Sequence, residues 1–363
     1  MPETHNKTRK PYIVIDKDLW HTLKEDVDFH IAMNLNATVS FTQTNSSENV
    51  THIVNKVLND GYDLEVLGLA SNWFLFIHIP ALCCIFFSLI AATTVIIVSF
   101  RGQTRPFFSW MRSERFVVYL SLCDGLFNVT HSMDHLQMAI TKEHVYPLQL
   151  CEFYAFFIGE FVSAQILMTN VAAVNAFCLI YLQKQFKLGR YDWKLLIYTF
   201  GVPFVLSMCA VNLGFYGPSG SYCYFDGVKG AFASIFFTTI PMTIVLVVNV
   251  VLYISTWWKI YKKSSQLRTT LGKETQTLHA SFNAAKMMSL FVAVFFVQWW
   301  ALGIVSVWQN FAMVPEEFFT IVVIFSNLGG VFNAGVFIII RKRRRQNADH
   351  ISTKTSSNQT SQL

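Results

Sequence analysis

Charge is scarce in this chain. Of its 363 residues only 14% are Asp, Glu, Lys or Arg, against 53% hydrophobic. A water-soluble domain of this size carries about a quarter charged residues, so an ordinary soluble enzyme is excluded at the outset. A CxxC pair is missing, and so is any Cys/His spacing of the structural-zinc kind. No repeat of about 20–50 residues appears, and neither does an inverted internal repeat of the transporter kind. The first residues, MPETHNKTRKPYIVIDKDLW, lack the apolar core of a cleavable signal peptide. Membrane entry then falls to the first spanning segment.

Apolar runs of bilayer length are present instead. They cover roughly 73–100, 116–140, 150–182, 194–214, 230–257, 286–308 and 318–340. A span needs about 20 mostly apolar residues, so the sequence predicts an all-α, seven-transmembrane helix bundle. Lys and Arg are also missing from the middle of every run. That excludes a retinal Schiff-base pigment, which needs a lysine inside its last helix, and it counts against a voltage sensor. The lack of charges lining a continuous path counts against a channel or transporter.

The cations gather in alternate gaps. Arg101, Arg105, Arg112 and Arg115 follow the first run, and Lys184, Lys187, Arg190 and Lys194 follow the third. Lys259, Lys262, Lys263, Arg268, Lys273 and Lys286 follow the fifth, and Arg341 to Arg345 with Lys354 follow the seventh. The other gaps hold only Lys142 and Lys229, so the balance is twenty against two. Short basic loops stay in the cytosol. The N-terminus is therefore expected outside and the tail in the cytosol, in a multi-pass protein of the plasma membrane. The net charge of +6 belongs to this bias and is no sign of nucleic-acid binding.

Residues 1–72 form a polar segment, 73–340 the helical domain and 341–363 a cytosolic tail. The polar segment carries sequons at Asn36, Asn45 and Asn49, clustered between Asn36 and Thr51, which predict glycosylation on the outer side. Asn6 opens a further, isolated sequon, and Asn128 opens one inside a helix, where it is expected to stay unmodified.

The third run, Cys151 to Leu182, holds Glu160, Gln165, Asn170 and Asn175. Polar groups so deep are costly in lipid, which places this helix at the centre of the bundle. Cys151 opens it, and Cys223 lies in the loop before the fifth run. These are the outermost cysteines on the outer side. A bridge between them would pin that loop over the central helix; two free thiols are the alternative. Cys83, Cys84, Cys123, Cys178 and Cys209 fall inside runs and are expected to be small buried hydrophobes.

Several stretches together resemble one family. The second run contains Leu120-Ser-Leu-Cys-Asp124 and the fourth contains Tyr198-Thr-Phe-Gly201-Val-Pro203. The loop after it reads Tyr216-Gly-Pro-Ser-Gly220-Ser-Tyr222-Cys223-Tyr224. The fifth run carries Pro241 and Asn249-Val-Val-Leu252-Tyr253, and the seventh Gly330-Val-Phe-Asn333-Ala-Gly-Val-Phe337. Between 73 and 345 the chain resembles the cyclic-AMP-receptor-like branch of G protein-coupled receptors, and more loosely the secretin/adhesion branch. It departs from the rhodopsin-like branch: the third run ends Asn175-Ala-Phe-Cys-Leu-Ile-Tyr181 without Asp/Glu-Arg-Tyr, and the seventh lacks Asn-Pro-x-x-Tyr. A tryptophan common in the family's fourth run is Phe200 here. The outer half offers acids and histidines rather than cations for a phosphate, so the resemblance does not extend to cyclic AMP as ligand.

The resemblance implies a receptor without cofactor or catalysis of its own, which signals through a heterotrimeric G protein. The expected ligand site joins His131, Asp134, His135 and Glu160 with Tyr222 and Tyr224 in the roof and Trp299 and Trp300 on the sixth run. An acid-lined, aromatic-walled cavity suits a cationic or amphipathic small molecule. The same groups would equally serve as glue between helices. Deeper lie Asp124, Asn170, Asn175, Asn327 and Asn333, the expected polar switch network, with static interhelical bonding as the alternative. Pro241 and Gly329-Gly330 are the expected bend points.

Lys184, Lys187, Arg190, Lys259, Lys262 and Lys263 are expected to meet the G protein, or only anionic membrane lipid. Arg341 to Arg345 would anchor the tail to lipid. Ser352, Thr353, Thr355, Ser356 and Ser357 offer phosphorylation sites for an arrestin-like partner, and Ser361-Gln-Leu363 suits a PDZ groove.

One enzymatic reading competes. His131, Asp134 and His135 would be part of an intramembrane zinc hydrolase, with His78 as a distant fourth group. A catalytic zinc takes three protein ligands, and no second His-x-x-x-His stands in another run.

Overall fold

The computed structural model describes residues 38–44, 51–101, 103–184, 186–267, 273–309, 311–312 and 314–360, with side chains from 58 onward except 263–284, 344–345 and 347–360. The sequons at Asn36, Asn45 and Asn49, the side chains of Lys263 and of the phosphorylation sites Ser352, Thr353, Thr355, Ser356 and Ser357, and the last residues, Ser361 to Leu363, lie outside this description.

Two strands rich in Thr and Val, β1 (Thr38–Thr44) and β2 (Thr51–Val57), pair antiparallel with Thr38 opposite Val57. β-branched residues favour this extended form. A short turn at Gly61–Asp63 follows, capped by the Asp60 carboxylate, which accepts from the Tyr62 N–H at 3.1 Å.

The helices come next. They are α1 (Phe74–Arg101), α2 (Arg112–Thr141), α3 (Leu148–Tyr181) and α4 (Arg190–Asn212). α5 opens at Ala231–Ser234, passes a π-turn at Ile235–Thr239 and continues through Ile240–Leu267. α6 is Lys273–Trp308. α7 (Glu316–Asn327) breaks at Leu328 and α8 (Gly329–Thr360) continues the same crossing. This last helix runs on past Ile340 into the basic tail.

Six of these crossings, with α7 and α8 counted as one, are long and apolar enough to span a membrane. The remaining helix, α2, has 30 residues but is too polar to qualify by composition. Its inward stripe explains this: Asp124, Asn128, His131, Asp134 and His135 are all buried. α2 crosses the bundle because neighbouring helices, not lipid, cover that stripe.

α3 is central and packs against α2, α4, α5 and α6. α1 lies against α2, α7 and α8. Large apolar side chains such as Phe86, Phe87, Val205, Val251 and Ile254 face outward, as they would toward lipid tails. Here the thiols correct an expectation. Only Cys123 is buried; Cys83 and Cys209 stand on the outer surface, and Cys84 and Cys178 are half-buried. Lipid tails accept a thiol as readily as a protein interior does, so an apolar run does not imply burial.

Prolines shape two helices. A π-turn at Ile197–Gly201 lies just before Pro203, and the one at Ile235–Thr239 just before Pro241. Proline lacks an N–H and its ring crowds the carbonyl four residues back. The wider turn accommodates both defects without stopping the helix.

Between α4 and α5 the chain forms a tight hairpin, β3 (Tyr216–Pro218) with β4 (Cys223–Phe225), Tyr216 opposite Phe225. Gly220 in its turn has φ +101°, a conformation side chains resist. Cys151 and Cys223 form the disulfide, S–S 2.07 Å, and fasten the hairpin to the first turn of α3. This end is called the hairpin end below.

Candidate functional site

A cavity of about 500 Å³ opens at the hairpin end. α2 contributes Phe127, His131 and His135, α3 Ile158 and Val162, and α6 Trp299 and Leu302. Tyr222 and Tyr224 of the hairpin roof it. A second cover comes from the segment before α1, through Leu64, Glu65 and Leu67. That segment is tied down firmly. The Gly61 N–H donates to Asp226 Oδ2 at 2.8 Å, the Leu67 N–H to the Gly220 carbonyl at 2.9 Å, and the His144 ring to the Leu64 carbonyl at 2.9 Å. The Tyr62 hydroxyl donates to the Val145 carbonyl at 2.8 Å and its ring stacks on Tyr146 at 4.3 Å. Burial first, then Tyr146 and Asp60, push the Tyr62 hydroxyl up to about 12.

Five of the residues expected at a ligand site line this cavity together: His131, His135, Tyr222, Tyr224 and Trp299. Glu160 is buried on α3 outside the lining, and its Oε2 has no partner. Trp300 is placed elsewhere. It is 37% exposed and sets its edge against Phe318 and Phe325, at 6.3 and 5.6 Å. Asp134 stands behind the roof, where its Oδ2 accepts from the Cys223 N–H at 3.0 Å. Among the described residues, the lining carries no lysine or arginine. Of its two carboxylates, Asp226 is already bonded by the Gly61, Val228 and Lys229 N–H groups.

Three imidazoles stand in series beside it. His78 Nδ1 lies 2.8 Å from His135 Nδ1, and His135 Nε2 lies 3.0 Å from His131 Nε2. His131 Nδ1 is 3.9 Å from Asp134 Oδ2. His78, distant in sequence, is therefore a direct partner. The series geometry does not fit the hydrolase reading. A zinc ion needs nitrogens that converge on one point at about 2.0–2.1 Å, whereas both His135 nitrogens are committed to different rings. Among the described residues no group of three could hold a metal.

A polar core lies one layer deeper. Asp124 accepts from Asn333 at 2.6 Å and from Gln165 at 2.8 Å. Gln298 donates to Gln165 Oε1 at 3.2 Å and to the Ser326 carbonyl at 3.1 Å. Ser88 on α1 accepts from Asn128 at 3.0 Å and from the Gly330 N–H at 2.9 Å. Five crossings, with α7 and α8 counted as one, thus meet in this polar core.

Of the five residues expected in such a network, Asp124 and Asn333 touch each other. The other three are placed apart. Asn170 donates to Asn249 on α5 at 3.0 Å, Asn175 accepts from Arg112 at 3.0 Å, and Asn327 donates to its own helix at Val323. Gln165 was visible in the sequence as a polar group inside the third run. Gln298, Ser88 and Asn128 gave no such signal, since short polar side chains are common in apolar helices.

At the opposite end Arg115 grips Asp192 with two bonds, 2.7 and 3.1 Å, and Tyr119 adds a third at 3.2 Å. Lys259 rests over the Tyr181 ring at 3.8 Å, while the Tyr181 hydroxyl donates to the Ser255 carbonyl at 3.1 Å. Lys184, Lys187, Arg190 and Lys262 are exposed on this same end.

No protein-family model and no curated protein matches the chain. Solved structures do. The crystal structure of squid rhodopsin superposes with a TM-score of 0.56 at 14% identity, covering 77% of this chain and 85% of that one. At that identity the likeness is one of fold. The chain has the seven-helix bundle fold of that structure, and six of its crossings are long and apolar enough to span a membrane.

Proposed function

We propose that this chain is a G protein-coupled receptor of the plasma membrane, with residues 1–72 and the hairpin end outside and the tail, 341–363, in the cytosol. One observation carries the reading. Trp299 lines the cavity, and its neighbour Gln298 bonds into the Asp124 core. A ligand that displaces Trp299 must strain the bonds of Gln298. Repacking that core shifts α6 against α3 between two discrete arrangements, and the far end of α6 alters the surface offered to a G protein. The chain then promotes nucleotide exchange on its partner and performs no chemistry itself.

The ligand is a small amphipathic or cationic molecule, held by the Phe127, Tyr222 and Trp299 rings. A phosphate is not expected in it, since the described residues of the lining include no lysine or arginine. Kinship with the cyclic-AMP-receptor-like branch is proposed for the bundle only. Lys184, Lys187, Arg190, Lys259, Lys262 and Lys263 form the G-protein surface, and Arg341 to Arg345 hold anionic lipid. Asn36, Asn45 and Asn49 carry glycans, and the tail receives an arrestin-like or PDZ partner.

The test is expression in cells carrying matched G-protein reporters. Constitutive or ligand-evoked coupling is expected, and it should fall at least tenfold in Gln298→Leu and in the triple Lys259, Lys262 and Lys263 to Gln variant, with surface expression intact. Absence of coupling to every G-protein class would overturn the receptor reading. Full coupling by Gln298→Leu would overturn the route through α6.

A further inference from the structure

Two hydrogen bonds link His78, His135 and His131 in series, and the outer nitrogens, His78 Nε2 and His131 Nδ1, are buried with no hydrogen-bond partner among the described residues. Three neutral imidazoles carry three N–H groups. Two are spent in the ring-to-ring bonds of 2.8 and 3.0 Å. The third must stand at one end. Placed on His131 Nδ1 it faces the Asp134 carboxylate, 3.9 Å away; placed on His78 it would leave a lone pair against that carboxylate. The first arrangement leaves His78 Nε2 as a bare lone pair, buried and without a partner.

Asp134 presents the complementary problem. It is 0% exposed, accepts one bond, from the Cys223 N–H, and its Oδ1 has no partner. A buried carboxylate needs a counter-charge. No lysine or arginine among the described residues reaches it. The other titratable groups nearby are Tyr154 on α3, Tyr222 in the roof, and Glu65 and Asp226 at the cavity; none is a cation.

We propose that His78, His135, His131 and Asp134 form a binding site for one proton, held in common by the three rings as the counter-charge of Asp134. The proton comes from solvent: as an O–H bond of hydronium breaks, an N–H bond forms at His78 Nε2 on its lone pair, and water is released. Two of the four N–H groups then keep the ring-to-ring bonds without turning a ring, a third on His131 Nδ1 faces Asp134 Oδ2 at 3.9 Å, and the fourth stands on His78 Nε2. Hops along the two N···N bonds bring the positive charge beside Asp134, and the site passes from one negative charge to neutrality. Because Asp134 also holds Cys223, which is bonded to Cys151, occupancy is transmitted to the roof of the cavity. The ordinary titration range of histidine, about pH 5–8, is where the step is sought.

The test needs no signalling readout, so it stands apart from the receptor reading. The full chain, labelled with 15N-histidine and held in lipid nanodiscs, is titrated by NMR from about pH 8 to about pH 5. Resonances of three imidazoles are identified by their loss in single His78→Phe, His131→Phe and His135→Phe variants. In the wild type those three are expected to shift together in one step. In Asp134→Asn the step should move to at least tenfold higher proton concentration. Three rings that titrate independently, or show no change across the range, would overturn the proposal. So would a step that Asp134→Asn leaves in place. If a Phe variant does not fold, one joint step of three imidazoles in the wild type and its shift in Asp134→Asn still decide.

Discussion

Asn333 on α8 donates to Asp124 on α2 at 2.6 Å, closing a bond between helices more than two hundred residues apart in sequence. Gln165 takes the other oxygen of the same carboxylate. Asp124→Ala removes the acceptor for both amides, inside a core the solvent does not reach. An unsatisfied buried donor costs about 1–3 kcal/mol. Thermal unfolding in nanodiscs should show a clear loss of stability, larger than that of Asp124→Asn, which keeps one acceptor oxygen. Equal losses for the two variants would show that the carboxylate is not the hub.

Gly330 touches α1 so closely that a Cβ there would collide with the Ser88 carbonyl and lie 2.7 Å from its Oγ. Backbone cannot yield as a flexible side chain does. Gly330→Ala is expected to cost about 1–3 kcal/mol by overpacking. Gly335, on the same helix, has nothing within 4 Å. Gly335→Ala should be neutral or stabilising by up to about 1 kcal/mol, since alanine is the better helix former. Melting curves of the pair check the contrast.

Arg115 and Asp192 are both buried, at 9% and 4% exposure, and pair through two bonds. Removing one partner strands the other charge. Arg115→Ala should therefore lose about 3–5 kcal/mol, while the double variant Arg115→Met/Asp192→Leu should recover much of it. A double-mutant cycle of unfolding midpoints measures the coupling. No recovery would mean that the Arg115 bonds to the Phe108 and Trp110 carbonyls matter more than the ion pair.

The helices were legible because lipid demands long apolar runs, and the central place of α3 was legible from Glu160, Gln165 and Asn175 set within one. The Cys151–Cys223 pair followed from their places at the same end of the bundle. What stayed hidden depends on rotation about helix axes. Trp299 and Trp300 are neighbours in sequence, yet one lines the cavity and the other meets α7. His78 could be set beside His131 and His135 only as a distant candidate, because nothing in α1 states which face turns to α2. The glycines at 329 and 330 read as a loosened helix. The break does fall there, at Leu328, but Gly330 also allows α1 to approach closely. The cover from Gly61 to Leu67 was invisible, since three of its bonds use its own backbone groups, at Gly61, Leu64 and Leu67, and only Tyr62 adds a side chain.

The π-turns in α4 and α5 bear on how such helices should be mapped. Each holds one residue more than an α-helical turn, which puts the stretches on either side out of phase by about 100°. Cysteine labelling walked residue by residue along α5 would record one periodicity up to Ile235 and a displaced one after Thr239. Faces assigned by counting back from Tyr253 would be misread toward the hairpin end, where ligand contacts are sought.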